Sequence, residues 1–163
     1  MSPAYMARVS SPLYNARILR LAASIPHASR LPDAQATVEK RSPICGSRVA
    51  VDVVLDGEGR LAALGQEVRA CALGQASAAL MGEHAFGRDV AALEAARDQL
   101  AAWLAGEREA APDWPGIDVL APAIAHKARH ASIRLAFEAV AEAARLALTE
   151  RAGRFSVKQG ETT

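Results

Sequence analysis

The sequence predicts an α+β fold, a small antiparallel β-sheet covered on one face by helices. Three observations carry that expectation. Apolar residues recur at helical spacing near the start of the chain and again over its last third. Between them lies one valine-rich stretch with alternating character and a glycine turn behind it. One helix, then a hairpin, then several helices is the order of a sheet with helices packed on one side.

The first helix is expected over residues 12–25. Leu13, Ile18, Leu19, Leu21 and Ala22 fall at near-helical spacing, Ser11 can cap, Pro12 suits the first turn and Pro26 ends it. Residues 27–47 are polar and carry Pro32 and Pro43, which suits an extended connector or an irregular edge strand. Residues 48–56 read RVAVDVVLD. Val49, Val51 and Val53 alternate with Arg48, Ala50 and Asp52, which is strand periodicity. Gly57-Glu58-Gly59 supplies a turn, and residues 61–70 follow as the partner strand of an antiparallel hairpin.

From Cys71 onward the run CALGQASAALMGEHAFG contains no β-branched residue, so a helix ending near Gly87 is expected. Asp89 can cap a further helix over residues 90–104, with Leu93, Leu100, Trp103 and Leu104 on its apolar side. Residues 106–116 form a loop with Pro112 and Pro115, and a short turn at 117–120 leads to Pro122. The closing helix spans residues 129–151, with Ile133, Phe137, Val140, Ala144 and Leu148 as its buried stripe. The expected organisation is a flexible N-terminus (1–10), one domain (11–151) and a flexible polar tail (152–163).

Composition narrows the function. Half of the 163 residues are apolar, under a quarter are charged, and the formal net charge is +1. That balance gives no electrostatic case for nucleic acid or a membrane surface. Few aromatics are available to stack on bases. No stretch approaches the roughly 20 apolar residues that span a bilayer, and residues 1–11 lack an apolar core of signal-peptide length. The expected location is cytoplasmic, where two cysteines are metal-binding, catalytic or simply buried rather than a lasting disulfide. No Gly-x-Ser-x-Gly elbow, phosphate loop or His-Glu-x-x-His occurs, so no enzyme is expected.

The only soft metal ligands of thiolate type are Cys45 and Cys71. Cys45 precedes Gly46 on a loop just before the valine strand. Cys71 lies where strand gives way to helix, where unpaired amides favour thiolate. Antiparallel pairing puts the residues before one strand and after its partner at the same sheet edge. Zinc takes four ligands, and the candidates for the remainder are His130, His126, His84 and Ser132. A His pair four apart is ordinarily a solvated helix face, Ser132 ordinarily a cap or first-turn residue, and a lone thiol ordinarily a buried apolar group. Glu83-His84 reads as surface, Leu80 and Met81 as packing, Trp103 and Trp114 as core or loop anchors, and Asp52 as a solvated strand residue.

Several segments resemble one family. LYNARIL at 13–19 looks like the opening helix of the NifU N-terminal/IscU/SufU scaffolds. Cys45-Gly46 before a valine strand is similar to their Cys-Gly-Asp motif. Residues 70–81, ACALGQASAALM, resemble their Gly-Cys-x-x-x-x-Ala-Ser-x-Ser-Met-Met signature, and Gly87-Arg88 their Gly-Lys. Residues 128–137, ARHASIRLAF, resemble their Ala-Arg-x-x-Cys-x-x-Leu-x-Trp segment. The long interval between Cys71 and Ser132 resembles the SufU and actinobacterial branch, and the Leu-Pro-Pro-Val-Lys chaperone motif of IscU is absent.

The resemblance implies an iron–sulfur cluster assembly scaffold that binds iron, zinc or a [2Fe–2S] cluster. Its implied partners are a cysteine desulfurase and apo-protein cluster acceptors, with a homodimer sharing one cluster. In the family three cysteines and an aspartate bind metal. Here Ser47 stands at the aspartate position and Ser132 at the third cysteine, so Cys45 and Cys71 carry over, with His130 or a second subunit completing the set. Ser132 cannot accept the persulfide that SufU relatives take at that position. The alternatives are a sulfur-relay or regulatory partner of a desulfurase, with Cys71 reactive, and a paralogue without metal.

Overall fold

The computed structural model describes residues 12–161, and the side chains of residues 13–151. The N-terminal segment 1–10, the Ser11 cap and the side chains of the tail lie outside them.

The fold is a three-stranded antiparallel sheet in the order β1 (Ala36–Arg41), β2 (Arg48–Leu55), β3 (Leu61–Arg69). It is accompanied by α1 (Ala16–Ala23), α2 (Ala72–His84), α3 (Val90–Leu104) and α4 (His130–Glu161). The α+β expectation holds. The connector does contain the edge strand, β1, with Pro32 and Pro43 outside it, where a missing amide donor costs no ladder bond.

β2 is central. Val49, Val51 and Val53 are fully buried beneath α4, which packs along β2 and β1. Each such side chain contributes about 1.5–3 kcal/mol through removal from water. The hairpin turn is held by Asp56, whose Oδ1 accepts the Glu58 and Arg60 amides at 2.8 and 3.0 Å. Gly59 takes the left-handed conformation (φ 80°) that this turn needs. Arg151 donates from α4 to the carbonyls of Asp56 and Gly57, at 2.6 and 2.7 Å.

Several boundaries differ from expectation for physical reasons. A 3-10 turn, Pro12–Tyr14, precedes α1, which is capped by Asn15 through its Oδ1 and the Ile18 amide at 3.0 Å. Asparagine is as good a cap as serine and restarts the helix there. Within α1, Ile18 is buried while Leu19 is half exposed. The turn expected at 117–120 is a longer 3-10 segment, Ile117–Ala125, that carries Pro122. The closing helix runs on through Glu161, because an internal glycine such as Gly153 weakens a helix by about 1 kcal/mol without ending it. The Asp89 cap of α3 is as read, accepting the Ala92 amide at 2.8 Å. Trp114 is a core anchor, with its Nε1–H donating to the Leu80 carbonyl at 2.8 Å.

Asp52 corrects the sequence reading. It is on the face opposite Val51 and Val53, as expected, but it is buried rather than solvated. It accepts from Arg30 Nε and Nη2 (2.7 and 3.0 Å), the Leu31 amide (2.9 Å) and Thr37 Oγ1 (2.5 Å). The segment before β1 thus covers this part of the open face. Burial pushes the Asp52 carboxyl up, but these donors together hold it below the ordinary carboxylate value.

Candidate metal and sulfur site

The loop between β1 and β2 is closed by its own backbone. The Ser42 amide donates to the Ser47 carbonyl at 2.8 Å, and the Gly46 amide to the Ser42 carbonyl at 3.3 Å. Gly46 sits at φ 71°, a conformation that costs a residue with a Cβ about 1–2 kcal/mol. The reversal leaves Ile44 and Cys45 exposed at the tip and tucks Ser47 underneath.

Two other elements reach the same edge. Arg48 pairs with Arg69, so β3 ends beside the start of β2. Cys71 follows two residues later as the N-cap of α2, half-buried and without a side-chain capping bond. The first turn of α4 brings in Ser132, which is buried. α2 and α4 can meet here because residue 74 is glycine: a Cβ there would lie 2.4 Å from Ser132 Oγ and 2.7 Å from Ala70 Cβ.

The result is a continuous chain of polar atoms. Cys45 Sγ donates to Ser47 Oγ at 3.2 Å, Ser132 Oγ donates to Ser47 Oγ at 3.1 Å, and Cys71 Sγ lies 3.4 Å from Ser132 Oγ. Two thiols far apart in sequence are therefore joined through two hydroxyls. A hydroxyl can donate or accept, so this chain can serve a thiol or a thiolate at either end. The Cys45 thiol is lowered to about 7 by the Ser42 hydroxyl, then by the Ser47 hydroxyl and amide, which favour the anion.

Among the described residues no histidine hydrogen-bonds to this chain of polar atoms. His130 Nε2 is 2.9 and 3.0 Å from the carbonyls of Ala123 and Ile124, so that nitrogen carries its proton and faces the preceding 3-10 segment. His84 faces Glu83 at 3.7 Å, and His126 is exposed. Among the described residues no three His, Cys, Asp or Glu side chains gather to hold a metal ion. The donor set is two thiols and two serine hydroxyls. It falls short of the four ligands of a closed zinc site, since a serine hydroxyl hardly ionises at neutral pH.

Sequence reasoning placed both cysteines but missed Ser42. Its only signal is the generic spacing Ser-x-x-Cys-x-Ser, which any polar loop can show. Ser132 was read as a first-turn residue, which it is, yet its hydroxyl is also the central link between the thiols.

No family model matches the sequence, and no curated protein matches it either. Solved structures do. A nitrogen-fixing NifU-like protein (N-terminal) from Brucella abortus is 34% identical, with a TM-score of 0.80 over 86% of this chain and 97% of that one. A protein described as a candidate iron–sulfur cluster assembly scaffold for the SUF system, from the thermophile Fervidobacterium islandicum, has a TM-score of 0.75. It is 17% identical, over 81% and 96% of the two chains, and so shares the fold. A hypothetical protein shares it too, at a TM-score of 0.69 and 23% identity over 80% and 95%. No helix among the described residues is long and apolar enough to cross a membrane. With the fold, the paired loop and helix-start cysteines, and this level of identity over nearly the whole of the Brucella domain, the chain belongs to the NifU-like N-terminal domain family.

Proposed function

We propose that this protein is an iron–sulfur cluster assembly scaffold, located in the cytoplasm, that carries its cargo on Cys45 and Cys71. The observation that supports this reading is the hydrogen-bonded chain linking the two thiols through Ser47 and Ser132 at one edge of the sheet. The Brucella relative is NifU-like and the Fervidobacterium neighbour carries a scaffold description, which points the same way.

Two thiolates per chain are half of the four protein ligands that a [2Fe–2S] cluster takes. A cluster bridged between two copies satisfies that count. A resident zinc ion suits the donor set poorly. His130 enters the coordination only through Nδ1, because Nε2 is committed to two carbonyls. Sulfur comes from a cysteine desulfurase, and the cluster passes to an apo-protein acceptor. No catalytic step is assigned to the chain.

Anaerobic reconstitution with iron and sulfide, followed by absorption spectroscopy and iron analysis, tests the proposal. The parent develops cluster bands, while Cys45→Ser and Cys71→Ser lose them. Equal iron and sulfide in all three proteins ends the reading.

One observation favours a second role. Cys45 is exposed and its pKa is lowered to about 7, which suits a thiol that receives sulfur in a relay. In that case Cys45, rather than Cys71, is the acceptor. Mass spectrometry after incubation with desulfurase and cysteine locates the added sulfur, and an unmodified Cys45 peptide argues against it.

A further inference from the structure

The cysteine edge of the sheet has a feature that its own stability does not call for. Arg41 pairs with Arg48, and Arg48 with Arg69, so three arginines form one row across all three strands. Cross-strand partners share a face, and Val49 and Val51 face the helices, so the row lies on the open face. Like charges directly opposite one another destabilise a sheet, and guanidinium does not deprotonate to relieve this.

Counter-charge here is thin. Glu39 is shared by Arg41 at 3.2 Å and Arg48 at 3.8 Å. Glu67 is shared by Arg69 at 3.9 Å and Arg30 at 3.7 Å. Asp52 is engaged by Arg30. The Arg41 and Arg69 side chains stay 67% and 68% exposed. The row borders the site: Arg41 and Arg48 flank the Cys45 loop, and Arg69 precedes Cys71 by two residues. At the loop tip Ile44 is 78% exposed, the most exposed large apolar side chain among the described residues.

We propose that Arg41, Arg48, Arg69 and Ile44 form a docking surface for an acidic face of a partner protein, which is thereby brought over Cys45. Neighbouring strands lie about 4.8 Å apart, so the outer arginines are rooted about 10 Å from each other. The row presents three guanidinium groups, and Arg41 and Arg69 at its ends stay largely exposed. It suits several carboxylates fixed on a folded surface. Arginines around an apolar anchor are a usual composition for a protein interface. Nucleic acid fits less well, because Glu39 and Glu67 sit in the adjoining row beside Ala50, with no aromatic side chain for a base to stack on. The inference deepens the scaffold reading by naming how its partner is recognised, and rests on that reading only for what is exchanged after docking.

The test is an NMR titration of the isotope-labelled full chain with oligoglutamate, with an oligonucleotide duplex in parallel. Oligoglutamate is expected to shift the amides of Arg41, Ile44, Arg48 and Arg69, with binding lost at high salt. Arg41→Gln with Arg69→Gln is expected to weaken it about tenfold or more, in line with the loss of two charge-assisted contacts. Because this pair removes like-charge repulsion as well as the ion pairs to Glu39 and Glu67, a melting temperature that is unchanged or raised accompanies it. Shifts confined to another surface, equal binding by the variant, or a preference for the duplex each overturn the proposal. Cluster loading measured on the same proteins separates the two readings. Normal loading with no binding at the row refutes docking alone, and binding at the row without loading refutes the scaffold alone.

Discussion

Two polar clusters flank the sheet, and they are held in opposite ways. On the open face, Asp52 is charged, buried and saturated, with four donors at 2.5–3.0 Å. At the cysteine edge, four small side chains are strung together by contacts of 3.1–3.4 Å, two of them through sulfur. A saturated carboxylate fixes structure, since every lone pair that it offers is engaged. A thiol–hydroxyl chain is weakly bonded and can reorganise, so its sulfurs remain available to something from outside. The first cluster explains why the segment before β1 lies on the sheet, and the second is where chemistry is to be sought.

The contrast can be broken most decisively by changing the donor set. Ser47→Asp combined with Ser132→Cys gives the edge three thiols and a carboxylate, the four ligands that a closed zinc site requires. This variant is expected to retain about one zinc per chain through gel filtration, while the parent retains little. Elemental analysis reads the difference, and equal zinc in both would mean that the hydroxyls are not at the ligand positions.

Removing Asp52 should cost stability instead. Asp52→Ala leaves the Thr37 hydroxyl, the Leu31 amide and Arg30 without their acceptor, for an expected loss of about 3 kcal/mol in denaturant unfolding. Cys45→Ser, on the exposed loop, should stay within about 0.5 kcal/mol of the parent. The pH dependence follows from the depressed carboxyl. Its stabilisation is present above the unfolded carboxylate value near pH 4 and is lost as pH falls through the lower folded value. That acid-side loss should be missing from Asp52→Ala. Similar costs at the two sites would erase the distinction between them.

The smallest effect concerns reactivity. With its pKa at about 7, Cys45 is half thiolate at neutral pH. Ser47→Ala removes one stabilising hydroxyl and should slow iodoacetamide alkylation of Cys45 at pH 7 by about three- to tenfold, with the midpoint moving to higher pH. An unchanged rate profile would show that Ser47 does not support the anion.

Much of this was legible in the sequence, for reasons that differ between elements. β2 and α3 were read to within a residue or so, because alternating valines and an Asp89 cap are local signals. β1 stayed ambiguous because ATVEKR has only Val38 to mark its buried face. The two cysteines were placed correctly at the loop and the helix start. Asp52 was misread because its partners, Arg30, Leu31 and Thr37, are fixed by tertiary packing that no local pattern encodes. The linking role of Ser132 was hidden for the same reason: its partner Ser47 is 85 residues away, and Gly74 makes room for it through a helix contact.

Whether Cys45 and Cys71 share one accessible site is tested most directly with phenylarsine oxide, whose arsenic condenses with two neighbouring thiols and releases water. One equivalent is predicted to bind per chain and to protect both cysteines from alkylation together, with Cys45→Ser and Cys71→Ser each abolishing the protection. Independent alkylation of the two thiols in the presence of the arsenical, with no stoichiometric adduct by mass spectrometry, would contradict the account.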